Sequence, residues 1–353
     1  MKKSLIALAV AGAFAAPAAM AGDTTIYGQA NVSFDGVDSG SNGTSTNKVS
    51  SNASRLGVKG SEDIGGGNSV IWQFEAAVNI DDGTQGNFGS RDTFAGLSGD
   101  SWGNVILGGG LNSIGKQAIK PLDLFDDVRG DNGGNGASML IYQRLNDQIV
   151  YTSPDLNGFK IKASYGAAAE GASVSGQTKG SNYGLSGAYD NGPLYAALAY
   201  ESFKGGSLGT GGPGNPAGGA LALNQTVSLT SLAVAYTWDA FWGGLTVQRT
   251  NDSVNGPAST SRTAYVLSGK YSFGSDAVKL QYTRAGERNS GTGTNASHYA
   301  IGYDHGLSKN TYVYALYARI SNNANANYDV NGGNGTVNGS SPSAWSFGMH
   351  HNF

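Results

Sequence analysis

The sequence predicts an all-β fold, a 16-stranded antiparallel β-barrel that crosses a membrane. Three observations carry this expectation. The first is alternation at the end of the chain. There Trp345, Phe347, Met349, His351 and Phe353 fall on one phase, and Ala344, Ser346, Gly348, His350 and Asn352 on the other. A strand turns successive residues to opposite faces, so one face suits lipid and the other water. An antiparallel strand on a soluble core would alternate in the same way. The second observation decides between them. Lys2 and Lys3, the apolar run Leu5 to Ala16, and Ala19-Met20-Ala21 are the three parts of a secretory signal peptide over residues 1–21. Pro17 and the shortness of the run weigh against a retained membrane helix. The third is composition: 56 glycines, 18 tyrosines and no cysteine in 353 residues. Glycine serves tight turns, and tyrosine suits an interface where a ring meets lipid and a hydroxyl meets water. An exported chain without disulfides needs another extensive source of order, such as a closed sheet.

Removal of residues 1–21 leaves 332 residues, residues 22–353, as one barrel domain. The net charge changes from −3 to −5 because Lys2 and Lys3 leave. No later stretch approaches the roughly 20 apolar residues of a membrane helix. The mean hydropathy of −0.25 does not argue against a barrel, in which only alternate residues face lipid.

About sixteen alternating segments follow, starting near residues 23, 54, 68, 91, 102, 139, 158, 180, 192, 226, 241, 262, 275, 296, 308 and 343. In the first, Ile26, Gly28, Ala30, Val32 and Phe34 oppose Tyr27, Gln29, Asn31 and Ser33. In the third, Val70, Trp72, Phe74, Ala76 and Val78 oppose Gln73, Glu75 and Asn79. Phe159, Ile161, Ala163 and Tyr165 oppose Lys160, Lys162 and Ser164, and Tyr265, Leu267, Gly269, Tyr271 and Phe273 oppose Ser268, Lys270 and Ser272. The fifteenth segment, Tyr312 to Ala318, is apolar on both phases, and its faces stay unassigned. Connections alternate in length. Asp63–Asn68, Ser153–Asn157 and Asp190–Gly192 are tight turns, while 36–53, 112–138, 204–225 and 321–342 are long polar loops. Short turns at one end and long loops at the other are a transmembrane barrel's asymmetry.

Several segments resemble the trimeric general porins of Gram-negative outer membranes, in their beta-proteobacterial branch. They are Ile26-Tyr27-Gly28, the run from Ser54 to Gly67, Ile71 to Glu75, Tyr151 to Pro154 with Gly158-Phe159, Ile301 to Ala318, and Gly348-Met349-His350 with Phe353. They follow the family order over the whole mature chain. The resemblance implies a homotrimer in outer-membrane lipid and a third loop folded inward to narrow the pore. It also implies a terminal Phe353 read by the outer-membrane insertion machinery. Two departures stand out. Gly108-Gly109-Gly110 replaces a pattern that often carries arginine, and Asn310 stands in Leu307 to Thr311 where arginine is usual.

Charges lining a water-filled constriction set a pore's selectivity. Strand phase points Arg55, Lys59, Arg91 and Arg144 inward, together with Glu75, Lys160, Lys162, Lys270 and Lys279. For the later lysines simple solvation is the favoured account. The resemblance adds a constriction role for Arg55 and Arg144. It places opposite them a loop carrying Asp123, Asp126, Asp127, Arg129 and Asp131 beside Lys116 and Lys120. A unit charge about 10 Å from an ion is worth ~0.4 kcal/mol in water and ~1.7 kcal/mol at an effective dielectric of 20. Salt lowers both values, so the expected ion preference is mild, with wall bases favouring anions and loop acids cations. Lys48, in the first long loop, is expected to contribute little.

Other chemistry finds no support. His350 and His351 are adjacent on a strand and point apart, so they cannot share a metal, and no cofactor or nucleic-acid partner is expected. Ser297 and His298 likewise point apart, which removes the only hydrolase-like pair, and no enzyme is predicted. The leading expectation is a passive, non-specific channel for small hydrophilic solutes and ions. The rivals are a substrate-specific channel, which would need a lumenal trail of aromatics, and an adhesion or receptor barrel that binds through its loops.

Overall fold

The computed structural model describes residues 23–41, 45–84, 88–134, 139–141, 143–167, 180–205, 225–254, 260–333 and 335–353. The signal-peptide expectation, on residues 1–21, lies outside them. Strand β1 is Asp23–Asp38, and β2 runs in two pieces, Ser45–Ser51 and Arg55–Gly65. Next come β3 (Asn68–Ala77), β4 (Thr93–Gly99), β5 (Gly103–Gly109), β6 (Gln148–Thr152) and β7 (Phe159–Ala167). The longer strands β8 (Ser181–Asn191), β9 (Leu194–Lys204), β10 (Gln225–Trp238), β11 (Phe241–Val254) and β12 (Thr260–Phe273) follow. The chain ends with β13 (Asp276–Ala285), β14 (Ala296–Ser308), β15 (Thr311–Asn322) and β16 (Ser343–Asn352).

Each strand pairs antiparallel with its neighbours in sequence, and β1 pairs with β16 from Gln29↔Asn352 to Asp38↔Ser343, which closes the barrel. Closure leaves no strand edge exposed, as a lipid environment demands. Phe353 completes the seam: its N–H donates to the Gly28 carbonyl at 3.1 Å, and Gly28 N–H donates back at 2.9 Å. The Phe353 ring fills the space that a Cβ on residue 28 would need, so only glycine fits there.

Outward phases carry the exposed apolar residues, among them Ile26, Phe34, Leu107, Leu185, Leu232, Tyr265, Tyr299 and Phe347. Exposed aromatics flank the short turns, among them Trp238, Phe241 and Phe159, as in an interfacial belt. Inward phases carry Asn31, Ser33, Asp35, Glu75, Gln248 and Gln281, all buried.

The structure corrects several boundaries. The expected first long loop, 36–53, is mostly strand, because β1 extends to Asp38 and pairs with Ser45–Ser51 through Asp35↔Lys48 and Val37↔Thr46. Lys48 therefore sits on a strand. Strand β6 begins at Gln148, not near 139. Residues 139–141 and 143–147 instead belong to the return arm of the preceding loop, with Arg144–Leu145 pairing against Leu111–Asn112. A further long connection, 78–92, lies between β3 and β4.

The fifteenth segment's faces are now assigned. Tyr314, Leu316, Ala318 and Ile320 are buried on the inward phase, and Tyr317 and Arg319 are exposed on the outward one. Both phases are apolar because the inward one packs against Phe125 and Val128 of the loop between β5 and β6. That loop carries helix α1, Ile114–Ile119, capped by the Ser113 hydroxyl, which accepts from Lys116 N–H at 3.2 Å. Ile114, Ala118, Ile119 and Leu122 pack on Ala197, Ala199, Ala233, Ala235, Ala264 and Val266 of β9, β10 and β12. Small inward residues on those strands leave the volume the helix fills.

Candidate functional site

Five of the charged residues expected to point inward, Arg55, Lys59, Glu75, Arg91 and Arg144, gather where the tip of the segment between β5 and β6 meets β1–β4. Glu75, buried on β3, is the hub. Its carboxylate accepts from Arg91 Nε at 2.6 Å and the Tyr27 hydroxyl at 2.9 Å, and it lies 3.8 Å from Arg55 Nε. Arg55 Nη1 reaches Asp127 at 3.7 Å, so wall and loop tip are bridged at this point rather than held apart. Arg144, on the return arm, donates to Asp92 Oδ1 at 2.8 Å and to the Gly110 carbonyl at 2.6 Å. Lys59 stands over the Tyr27 ring, 5.1 Å from its centroid.

The tip itself is a turn of acids. Asp127 takes a left-handed backbone, φ 69°, a region where Asp and Asn are enriched among non-glycine residues. Its N–H donates to Asp131 Oδ2 at 3.1 Å, and Asp131 Oδ1 accepts from Gly133 N–H at 2.7 Å. Carboxylate oxygens of Asp126, Asp127 and Asp131 lie within 4.8 Å of one another. The chain supplies cations to them, with Lys120 Nζ 2.5 Å from Asp126 and Arg55 beside Asp127. Asp123 accepts from Phe125 N–H at 3.0 Å and Gln281 Nε2 at 3.1 Å.

Burial pushes the Asp123 carboxyl up to about 6, helped by Asp126 nearby. The Asp126 carboxyl is raised by burial and then by Asp127. That of Asp131 is raised well above the usual range by burial and by Asp123 and Asp126. Burial lowers Lys116, with Arg144 and Lys120 adding to the effect.

Arg129 does not face open water. Its side chain is nearly buried, and Nε pairs with the fully buried Asp35 of β1 at 2.7 Å. Nη1 donates to the Asn331 carbonyl at 2.5 Å, Nη2 donates to the Ser50 hydroxyl, and Asn331 Nδ2 donates to the Val128 carbonyl at 3.0 Å. The last long loop thus grips the acidic tip. Tyr328 and Val330 of that loop are buried with Met139, and Arg262 of β12 donates to the Tyr328 hydroxyl and the Met139 carbonyl.

A cavity of about 920 Å3 opens beside this network, lined by Lys48, Lys116, Arg129 and Arg144 together with Asp81, Asp127 and Asp131. Lys48 is therefore part of the site, against expectation. Its Nζ donates to the Gly332 carbonyl at 2.7 Å. The four expected lumen lysines of the later strands lie elsewhere. Lys160 pairs with Asp155 at 3.5 Å, and it lines a second cavity with Lys162, which donates to Gln117. Lys270 lies opposite Lys279 in register, and Lys279 pairs with Asp304 at 2.8 Å and covers the Phe125 ring.

Sequence reading missed Asp35, Asp92 and Asn331. Asp35 continued an inward polar row, Asn31-Ser33-Asp35, that was cut short by ending the first strand early. Asp92 and Asn331 lie in connections, where no phase exists to place them.

A closed 16-stranded barrel with charge gathered on its inward face defines a membrane channel, and the chain belongs to the Gram-negative porin family, whose profile matches residues 7–325. It is 30% identical over 338 residues to outer membrane porin protein 32 of Delftia acidovorans, covering 91% of this chain and 90% of that one. Among solved structures, the anion-selective porin from Comamonas acidovorans superposes with a TM-score of 0.76 at 24% identity, covering 94% and 99% of the two chains. The trimer form of OmpT, an outer membrane protein of Vibrio cholerae, gives 0.65 at 17% identity, covering 94% and 100%. The protein is an outer-membrane channel, and its family and fold are those of channels rather than enzymes.

Proposed function

We propose that the protein is a non-specific diffusion channel for small hydrophilic solutes and ions, with a weak preference for anions. The observation that carries this reading is the charged network beside the cavity. Arg55, Arg91 and Arg144 are interleaved with Glu75, Asp92 and Asp127, so opposed charges largely cancel and no single solute is selected. The anion preference rests on Lys48 and Lys116, which add to the basic side, and on Asp131, whose raised pKa weakens the acidic one. A structural relative's description as anion-selective agrees in sign. The segment between β5 and β6 narrows the passage, and its tip contributes the acids.

The test is reversal potential in a planar bilayer. Arg144→Glu is expected to move the permeability ratio a few-fold towards cations, and Asp127→Lys to move it towards anions, both less at high salt. Lys48→Glu should also move it towards cations. If all three variants keep the parental ratio, the network does not line the ion path.

We further propose a homotrimer, assembled in outer-membrane lipid after export and cleavage of residues 1–21. Strands β4, β5 and β6 have only 7, 7 and 5 residues. At ~3.3 Å per residue and a tilt near 40°, these strands rise only about 13–18 Å, short of the roughly 25 Å apolar band. Protein rather than lipid covers a wall that low. Phe353 serves as the signal that the insertion machinery reads. Unboiled protein is expected to run on a denaturing gel as a high-mass band that collapses to monomer on heating. A monomer under both conditions would exclude the trimer.

A further inference from the structure

Three arginines stand on the outward face of the barrel, on the long strands away from β4–β6 and near their long-loop ends. They are Arg249 on β11, Arg284 on β13 and Arg319 on β15. Their phase follows from Leu245, Tyr282 and Tyr317, two or four residues away and all exposed outward. Arg249 donates only to hydroxyls, Thr263 at 3.3 Å and Ser261 at 3.2 Å, and Arg284 donates to the Ser297 hydroxyl at 2.9 Å. Among the described residues none of the three is paired with a carboxylate. Register brings two of them together: Arg284 lies opposite Ser297 on β14, and Arg319 opposite Tyr299, two residues along the same strand.

Directly below, towards the short turns, the same face holds an apolar groove of about 550 Å3 between β12 and β15. Leu267, Leu280, Tyr282, Tyr299 and Tyr317 wall it. Gly269 forms its floor, and a Cβ added there would meet nothing within 4 Å. A cation on a lipid-facing strand is costly at mid-membrane and tolerable at the headgroup level. The planar guanidinium fork matches phosphate oxygens.

We propose that this face is a binding site for a phosphorylated lipid of the leaflet that meets the long-loop end. Its phosphate sits between Arg284 and Arg319 with Arg249 alongside, and one acyl chain lies in the groove over Gly269. Charge complementarity and an apolar groove meet at one place on the wall, and among the described residues no acidic side chain pairs with the arginines. The site needs only that the outward face meets lipid, so it stands apart from the reading of the pore.

Native mass spectrometry of the detergent-solubilised protein tests it, with diphosphorylated lipid A and its dephosphorylated counterpart as probes. The parent is expected to bind the phosphorylated form at least ten-fold more tightly. The Arg284→Gln/Arg319→Gln variant should lose that preference. Gly269→Leu, which fills the groove, should weaken both lipids several-fold and keep the preference. Parental single-channel conductance in both variants confirms that they have folded. Equal binding of the two lipids by the parent, or a preference that survives in the double-arginine variant, would overturn the proposal. Unchanged binding after Gly269→Leu would overturn the groove as the acyl site.

Discussion

Replacing Arg129 with alanine is expected to free the acidic tip of the segment between β5 and β6 and give a wider, unsteady channel. The guanidinium lies in a pocket where Asp35 has no exposure at all, and removing one partner of such a pair costs about 3–5 kcal/mol because the other charge is left buried alone. The same substitution removes the bonds to Ser50 and to the Asn331 carbonyl, so the tip's buried tie to β2 and one of its bonds to the last loop are lost together. What remains is the packing of Phe125 and Val128 on Tyr314 and Leu316, the longer Arg55–Asp127 contact, and the bonds from Asn331 to Val128 and from Gln281 to Asp123. Single-channel records should show higher mean conductance with rapid flicker, and protease should cut within 111–133 of the variant but not of the parent. Asp35→Asn/Arg129→Gln, which leaves no orphaned charge, should show a milder form of both effects. A quiet, protease-resistant Arg129→Ala channel of parental conductance would mean that the tip is held without the Arg129–Asp35 pair.

Acidification is expected to move selectivity towards anions as pH falls through about 6. Burial raises the carboxyls of Asp123, Asp126 and Asp131, that of Asp123 to about 6, so the tip takes up protons above the range of exposed aspartates. The arginines across from it keep their charge, and several negative charges fade at once. The shift should therefore exceed that of any single substitution. These carboxyls bind protons more tightly in the docked segment than in a released one. Docking is then firmest at acid pH and loses this contribution as pH rises through about 6. Channel noise should accordingly grow between pH 5 and 8. Reversal potentials that stay flat over that interval would show the acids to be ionised throughout.

Alternation made the barrel legible in the sequence because lipid enforces it on every strand that touches lipid on one side and water on the other. It failed where that condition fails. The fifteenth strand is apolar on both phases because Phe125 and Val128 cover it from within, and β9 and β10 repeat the pattern with Ala197, Ala199, Ala233 and Ala235 under α1. A strand with two apolar phases thus marks wall that is lined by protein. The β1–β2 hairpin was cut short because Lys48, Ser50 and the polar residues around them read as loop, although Asp35, Lys48 and Ser50 face inward on a regular ladder. Arg55, Arg91 and Glu75 were placed by phase. Asp92 and Asn331, which bond to Arg144 and Arg129, were not, since position in an irregular connection is set by tertiary contacts that no local period records.

The grip of the last loop on Arg129 bears on how freely the outer surface of this protein can change. Outer loops are ordinarily where insertions and sequence drift do least harm. Residues 326–332 are an exception, because Tyr328 and Val330 are buried and the Asn331 and Gly332 carbonyls hold Arg129 and Lys48. The stretch 335–339, where Thr336 and Gly339 bond only to backbone carbonyls of the same loop, carries no such duty. A peptide grafted for surface display belongs in the second stretch. A host or phage that drives variation at this loop would find seven of its residues anchored to the pore and the rest free to diverge.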